Sequence, residues 1–204
     1  MKILGSNGDN NDQMVKDYIN TQEFPQPIDM ALSEEVTIQD QRKQMQVIVE
    51  KESNYFQFFD ERMQWNNPPP EKIGYTYTNT SSDWGLCQLH TTEPSIAELW
   101  NWKANVNSGI HFLWGTDPSI HKFAQVKNKF NKIKKLYTKK GVNVREPNKE
   151  EFLKMLAQHY HKGFYYTDYN PGKLEDGELG SWEETDITDW KNYGDDFWIR
   201  FQQQ

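Results

Sequence analysis

Apolar residues recur along this chain mostly at helical spacing. Met14, Val15, Tyr18 and Ile19 mark a short amphipathic helix after the polar, Gly/Asn/Asp-rich stretch Gly5–Asp12, and Pro25 and Pro27 end it. A stronger helix is predicted from Ile38 to Glu52, with Ile38, Met45, Ile48, Val49 and Glu52 on one stripe. Glu50 lies two positions from Ile48 and so points away from that stripe. Past Pro68-Pro69-Pro70, Ile73–Thr80 alternates around Tyr75 and Tyr77 and reads as a strand. Thr78–Ser82 is turn-prone, and Trp84–Leu89 reads as a second short strand returning from it.

Helical spacing resumes after Pro94. Ile96, Leu99 and Trp100 share one face, and Val106, Ile110 and Leu113 share another. Asp117-Pro118 predicts a helix start and Gly141 its end. Asn148 with Glu151 three residues on resembles a capping box, opening a helix through Phe152, Met155, Leu156, His159 and Tyr160 that Gly163 terminates. The tail from Asn170 is rich in Gly, Asp, Glu and Trp, and is expected to wrap the core through Trp182, Trp190 and Trp198. The pattern predicts a mainly α, α+β chain with a small β-hairpin or sheet between helices. Its expected division is a leader with a short helix over 1–27, a main domain over 28–168 and an acidic aromatic extension over 169–204 that packs on the domain.

Composition changes this picture in three places. With 204 residues the chain is long enough for one well-buried domain, and 8 Trp, 10 Tyr and 11 Phe compensate for an apolar fraction of only 35%. The net charge of -7 argues against a general nucleic-acid binder. Lys127–Lys140 runs the other way, with seven lysines and no acid. That run reads first as a solvated helix face and second as a docking surface for an anionic polymer such as a bacterial cell wall. Cys87 is alone, so no intrachain disulfide can form, and no stretch reaches the length of a membrane span. Met1–Gly5 is too short for a secretory signal, so a trimmed form or another export route is expected.

The candidate chemistry is a pair of carboxyl groups. Glu52 closes the apolar stripe of its helix, where burial favours the protonated form that a general acid needs. Asp83 lies in a short aromatic-flanked segment about thirty residues later and is the second candidate. Two carboxyl groups in unlike environments are the usual equipment for cutting a glycosidic bond. Trp84, Tyr75 and Tyr77 are candidate sugar platforms, although core packing is the default reading of each. A metal site built from His159 and His161 with His111 or His121 is disfavoured, since residues two apart on a helix do not share a face. A thiol hydrolase centred on Cys87 is disfavoured because its flanks read as a buried strand.

Several motifs resemble one family. Glu52-Ser53 after an apolar helix resembles the catalytic Glu-Ser of the lysozyme-like superfamily, especially lytic transglycosylases and goose-type lysozymes. Gly85-Leu86-Cys87-Gln88 is similar to their Gly-Leu-Met-Gln, with cysteine in place of methionine. Asn105-Val106-Asn107-Ser108-Gly109-Ile110-His111-Phe112-Leu113 resembles their Asn-Ile-x-x-Gly-x-x-Tyr-Leu helix. Tyr160-His161-Lys162-Gly163 resembles Tyr-Asn-Ala-Gly, with His161 and Lys162 departing from it. Ser82–Leu89 is also similar to the stretch of chicken-type lysozymes that carries their second catalytic aspartate, the place Asp83 would take.

The resemblance covers about Ile38–Phe164 and implies a lysozyme-like domain that cleaves peptidoglycan between N-acetylmuramic acid and N-acetylglucosamine. It implies Glu52 as general acid and base, Asp83 as a stabilising or water-positioning carboxylate, and Gln88, Tyr160, Trp84 and Tyr75 as substrate contacts. No metal or organic cofactor is implied. The implied partners are peptidoglycan glycan strands, at a periplasmic, extracellular or phage-associated location. The alternative is a non-catalytic wall-binding or assembly module that keeps the fold without turnover.

Overall fold

The computed structural model of the chain describes residues 7–8, 10–26, 28–58, 73, 76–78, 83–89, 94–162, 168–170, 180–183 and 193–204. Its elements are α1 (Asn11–Thr21), α2 (Ile38–Ser53), α3 (Ile96–Trp100), α4 (Trp102–Trp114), α5 (Lys122–Lys139), α6 (Lys149–Lys162), β1 (Asp168–Asn170), β2 (Ser181–Glu183) and α7 (Tyr193–Gln203). The chain is therefore mainly helical, with a small antiparallel two-stranded sheet. Among the described residues no helix is long and apolar enough to cross a membrane. Two compact units are formed, Met1–Glu23 with Met45–His111 and Phe24–Gln44 with Phe112–Gln204. The division passes through α2 and α4.

In the first unit, Val15 and Ile19 bury one side of α1, as their spacing predicts, while Met14 stays exposed. The α1 backbone turns extended at Gln22, ahead of Pro25. The α2 residues Met45, Val47, Ile48 and Val49 are all fully buried, so this half of the helix is enclosed on every side and not along one stripe. Gln46 is buried with them, and its amide donates to Asn20 Oδ1 at 2.9 Å. A buried amide with a partner costs little, which lets a polar residue occupy a buried position off the predicted stripe. Ser95 and Glu98 form a reciprocal capping box that starts α3. Burial alone would raise the Glu98 carboxyl, but hydrogen bonds from Ser108 and Ser95 outweigh it and hold the group below the ordinary carboxylate range.

Much of the expected hairpin between helices, residues 74–75 and 79–82, lies outside the described residues. The described residues 76–78 and 83–89 make isolated bridges, Phe58 to Thr76, Thr78 to Trp84 and Trp84 to Leu89. The sheet instead lies between α6 and α7, in the second unit, where Tyr169 pairs with Trp182 at the centre of the β1–β2 register.

That short ladder is anchored from outside. The Arg145 guanidinium forks onto the Glu151 carboxylate, and its Nε donates to the Gly180 carbonyl at 2.5 Å. Trp182 Nε1 donates to the Arg145 carbonyl at 3.0 Å, and the Trp182 ring meets Phe130 edge to face. Asn148 and Glu151 form the predicted capping box of α6, and Glu151 accepts the Trp182 N–H as well. Helix α5 starts at Lys122, with His121 at its N-cap, and not at Asp117-Pro118. Asp117 closes a separate turn, its carbonyl taking the Ile120 and His121 N–H groups and its carboxylate taking Ser119. At the other end Gly141 has φ of +79°, and N–H groups of Gly141 and Val142 return to Thr138 and Tyr137 in a Schellman arrangement.

His159 of α6 is completely buried in this unit. Burial, then the positive charges of Lys129 and Lys122, push its pKa down to about 4. A folded pKa below the unfolded value of 6.5 means that the unfolded chain binds the proton first as pH falls. Stability contributed by neutral His159 is complete above pH 6.5 and is lost between 6.5 and 4, amounting to about 3 kcal/mol. Chemical denaturation at pH 7 and pH 5 should show this decline, and His159→Leu should flatten it. An equally steep decline in the variant would assign the acid sensitivity elsewhere.

Candidate functional site

Glu52 is the penultimate residue of α2 and is half-buried, as is Glu50. Exposure therefore does not separate the two carboxylates in the way the stripe predicts. Ser53 beside it is buried, its hydroxyl donating to the Val49 carbonyl at 3.1 Å within the last helical turn. Asn54 and Tyr55 then take φ of 47° and 65°, which breaks the helix immediately after the Glu-Ser pair. The Tyr55 hydroxyl donates back to the Gln46 carbonyl at 3.2 Å and fixes that exit.

Trp84–Leu89 is a tight turn and not a strand. Trp84 and Leu89 exchange backbone hydrogen bonds at 3.2 Å in both directions, closing a four-residue loop over Gly85-Leu86-Cys87-Gln88. Every N–H inside that loop is satisfied. Gly85 donates to the Tyr77 carbonyl at 2.7 Å, Leu86 to Gln57 Oε1 at 3.1 Å, Cys87 to Asn105 Oδ1 at 2.8 Å, and Gln88 to the Gly85 carbonyl at 3.3 Å. The Gln57 amide in turn donates to the Glu98 and Leu99 carbonyls, and the Asn105 amide to Trp84 at 3.1 Å. Two buried amide side chains thus bracket the loop and hold it to α3 and α4.

The glycines of both motifs have steric reasons. Gly85 has φ of +71°, and a side chain there would also come within 2.7 Å of Gln57 Oε1. A Cβ on Gly109 of α4 would collide with Cys87 Sγ and reach 2.9 Å from Met45 Cε. The loop, α2 and α4 meet at this one bare position, so Gly85-Leu86-Cys87-Gln88 and Asn105 through Gly109 form one packed unit.

Gln88 closes the loop with φ of 46° and is 7% exposed. Its Nε2 donates to the Gly85 carbonyl at 2.7 Å, which fixes the orientation of the amide because a carbonyl can only accept. Its Oε1 is buried and has no hydrogen-bond partner among the described residues. A buried amide oxygen without a donor costs about 1–3 kcal/mol, so the position suits a ligand N–H or a water that returns the bond. Asp83 and Trp84, at the loop's entrance, are half-buried. Tyr77 is buried, which makes it a packing residue and not an exposed sugar platform. Tyr75 lies outside the described residues.

Tyr160 belongs to the second unit. It is buried, and its ring meets Phe112 edge to face at 5.5 Å. His161 stacks on Tyr193 of α7 at 4.2 Å and 11°, which gives it a packing role. No group of three or more side chains suited to a metal ion converges among the described residues.

Sequence reasoning recognised Asn105 only as a motif letter and missed Gln57 altogether. Gln57 sits within the aromatic run Tyr55–Phe59, and the partners of its side chain lie 29 to 42 positions away, so no local pattern marks it. Compared with protein-family models, with curated proteins and with solved structures, the chain matches none of them.

Proposed function

We propose that the chain cleaves the glycan strand of peptidoglycan between N-acetylmuramic acid and N-acetylglucosamine, with Glu52 as general acid and then base. The observation that carries this reading is the packing of the Gly85–Gln88 loop against Asn105 and Gly109. Two motifs that resemble the lysozyme-like family are thereby joined by hydrogen bonds and by a close approach that only glycine permits. Glu52-Ser53, the third motif, ends the α2 helix whose Met45 touches the same glycine position.

In this reading Glu52 protonates the glycosidic oxygen as the bond breaks and an oxocarbenium-like centre develops. The buried Gln88 Oε1 accepts the N–H of an N-acetyl group, a bond that the protein itself leaves open among its described residues. Trp84, half-buried at the entrance of the same loop, offers an aromatic ring for a sugar face. Asp83 stabilises the positive centre or positions the attacking oxygen. In a lytic transglycosylase that oxygen is the substrate's own 6-hydroxyl, and in a muramidase it is water. The second reaction leans on a second carboxylate more heavily.

Asp83→Asn tests this division of labour. Substrate binding should persist, and release of soluble fragments from purified peptidoglycan should fall only modestly, about tenfold or less, if Glu52 suffices. A loss as large as that of a Glu52 variant would instead make Asp83 an essential partner and favour the hydrolytic outcome. No fragment release by the parent protein at any pH would refute the enzymatic reading itself.

A further inference from the structure

The lysine run on α5 divides into two faces with different fates. Lys127 and Lys134 lie one helical repeat apart and are engaged by Asp29 and Glu146. They line a cavity of about 680 Å3 together with Phe130, Pro147 and Trp182. Lys132, Lys135 and Lys139 recur at three- and four-residue spacing on another face of the helix, and all three are exposed. None of these three has an ion pair or hydrogen bond among the described residues, although the chain as a whole is acidic. At about 1.5 Å of rise per residue they set three ammonium groups along roughly 10 Å of one helix edge. Leu136 lies within the stripe and is 51% exposed.

We propose that this stripe docks the protein on the anionic strands of its wall substrate, through the carboxylates carried on the strand's peptides. The inference rests on the glycan-cleaving reading above and adds a binding surface to it. Charge complementarity selects the partner class: a line of exposed cations with no ion pair among the described residues, on an acidic protein, fits an extended polyanion. Leu136 adds one apolar contact, which suits the peptide stems and falls short of the continuous apolar face that a bilayer-surface helix requires. Three cations on a chain of net charge -7 also give little of the counterion release on which nucleic-acid binding depends.

The test compares two variants with the same loss of charge. One carries Lys132→Gln, Lys135→Gln and Lys139→Gln. The other carries Lys127→Gln, Lys134→Gln and Lys154→Gln, three lysines already engaged by Asp29, Glu146 and Asp195. Both are made with Glu52→Gln, so that binding is read without digestion, and sedimentation with purified peptidoglycan sacculi is measured at low and high salt. The outward variant should bind about tenfold more weakly at low salt, because each exposed pair contributes up to a fewfold, and the difference should vanish near 1 M salt. The engaged-lysine variant should bind as the parent does, with any cost appearing in its melting temperature. Equal binding by the parent and the outward variant overturns the proposal. So does tighter binding to anionic phospholipid vesicles or to RNA than to sacculi. The cleaving reading fails separately, if the protein with Glu52 intact releases no glycan fragments while binding follows the predicted pattern.

Discussion

Glu52→Gln should abolish most glycan cleavage while leaving the fold intact. The substitution keeps the side chain's size and hydrogen-bonding reach and removes only the titratable proton. Glu52 is half-buried at the end of α2, beside a Ser53 whose own hydroxyl is bonded to Val49 within the last turn, and the glutamine amide keeps the shape of the carboxyl it replaces. Loss of an essential general acid costs about a hundredfold or more in turnover. The check is the initial rate of fragment release from purified peptidoglycan alongside a thermal melt of parent and variant. Parental activity in a folded Glu52→Gln protein would remove Glu52 from the mechanism and turn attention to Glu50, which is half-buried as well.

The second large effect is structural. Asn105 is completely buried, and its one amide serves the Cys87 N–H at 2.8 Å, the Trp84 carbonyl at 3.1 Å and the Glu98 carbonyl at 3.4 Å. Asn105→Ala leaves the Cys87 N–H buried without its acceptor and opens a void beside Gly85. Together these should destabilise the protein by about 3 kcal/mol and lower Tm by roughly 6–12 °C. Asn105→Asp keeps an acceptor for the Cys87 N–H but sets a buried carboxyl against the Trp84 and Glu98 carbonyls, so it should destabilise the protein as well, and more at neutral than at acidic pH. A Tm unchanged in Asn105→Ala would show that the loop is held without α4 and would detach the two motifs from each other.

These two residues differ in how plainly the sequence announces them. Helices α1, α4 and α6 follow from apolar periodicity, and the α6 start follows from Asn148 and Glu151, because each signal is local. The end of α5 at Gly141 is legible for the same reason, since φ of +79° favours glycine there. The start of α5 is not, because Asp117 spends its capping capacity on Ser119 within a preceding turn. The second half of α2 misleads by its glutamine. Gln46 is polar and lies off the predicted stripe, yet its amide finds Asn20 and the position is buried.

The sheet was beyond local reading. Its strands, Asp168–Asn170 and Ser181–Glu183, are three residues each, too short for their polar-aromatic-polar alternation to mark them, and their anchor is the Arg145 fork to Glu151 and the Gly180 carbonyl, residues brought together only by folding. At the candidate site, Gly85 and Gly109 are visible as motif glycines, and the structure supplies their reasons in the Gln57 and Cys87 side chains. The open Gln88 oxygen is a property of three-dimensional burial and of the Gly85 carbonyl that claims the other half of the amide. No spacing in the chain encodes it.

The central claim is a chemical one, and the ends that the protein leaves on its substrate test it most directly. Purified peptidoglycan should be incubated with the parent protein and with Glu52→Gln, and the soluble products weighed by mass spectrometry. The parent alone should release disaccharide-peptide fragments, with 1,6-anhydro ends if the substrate's own hydroxyl attacks and reducing muramic ends if water does. Intact glycan strands after treatment with folded parent protein, or identical fragments from the parent and Glu52→Gln, would contradict it.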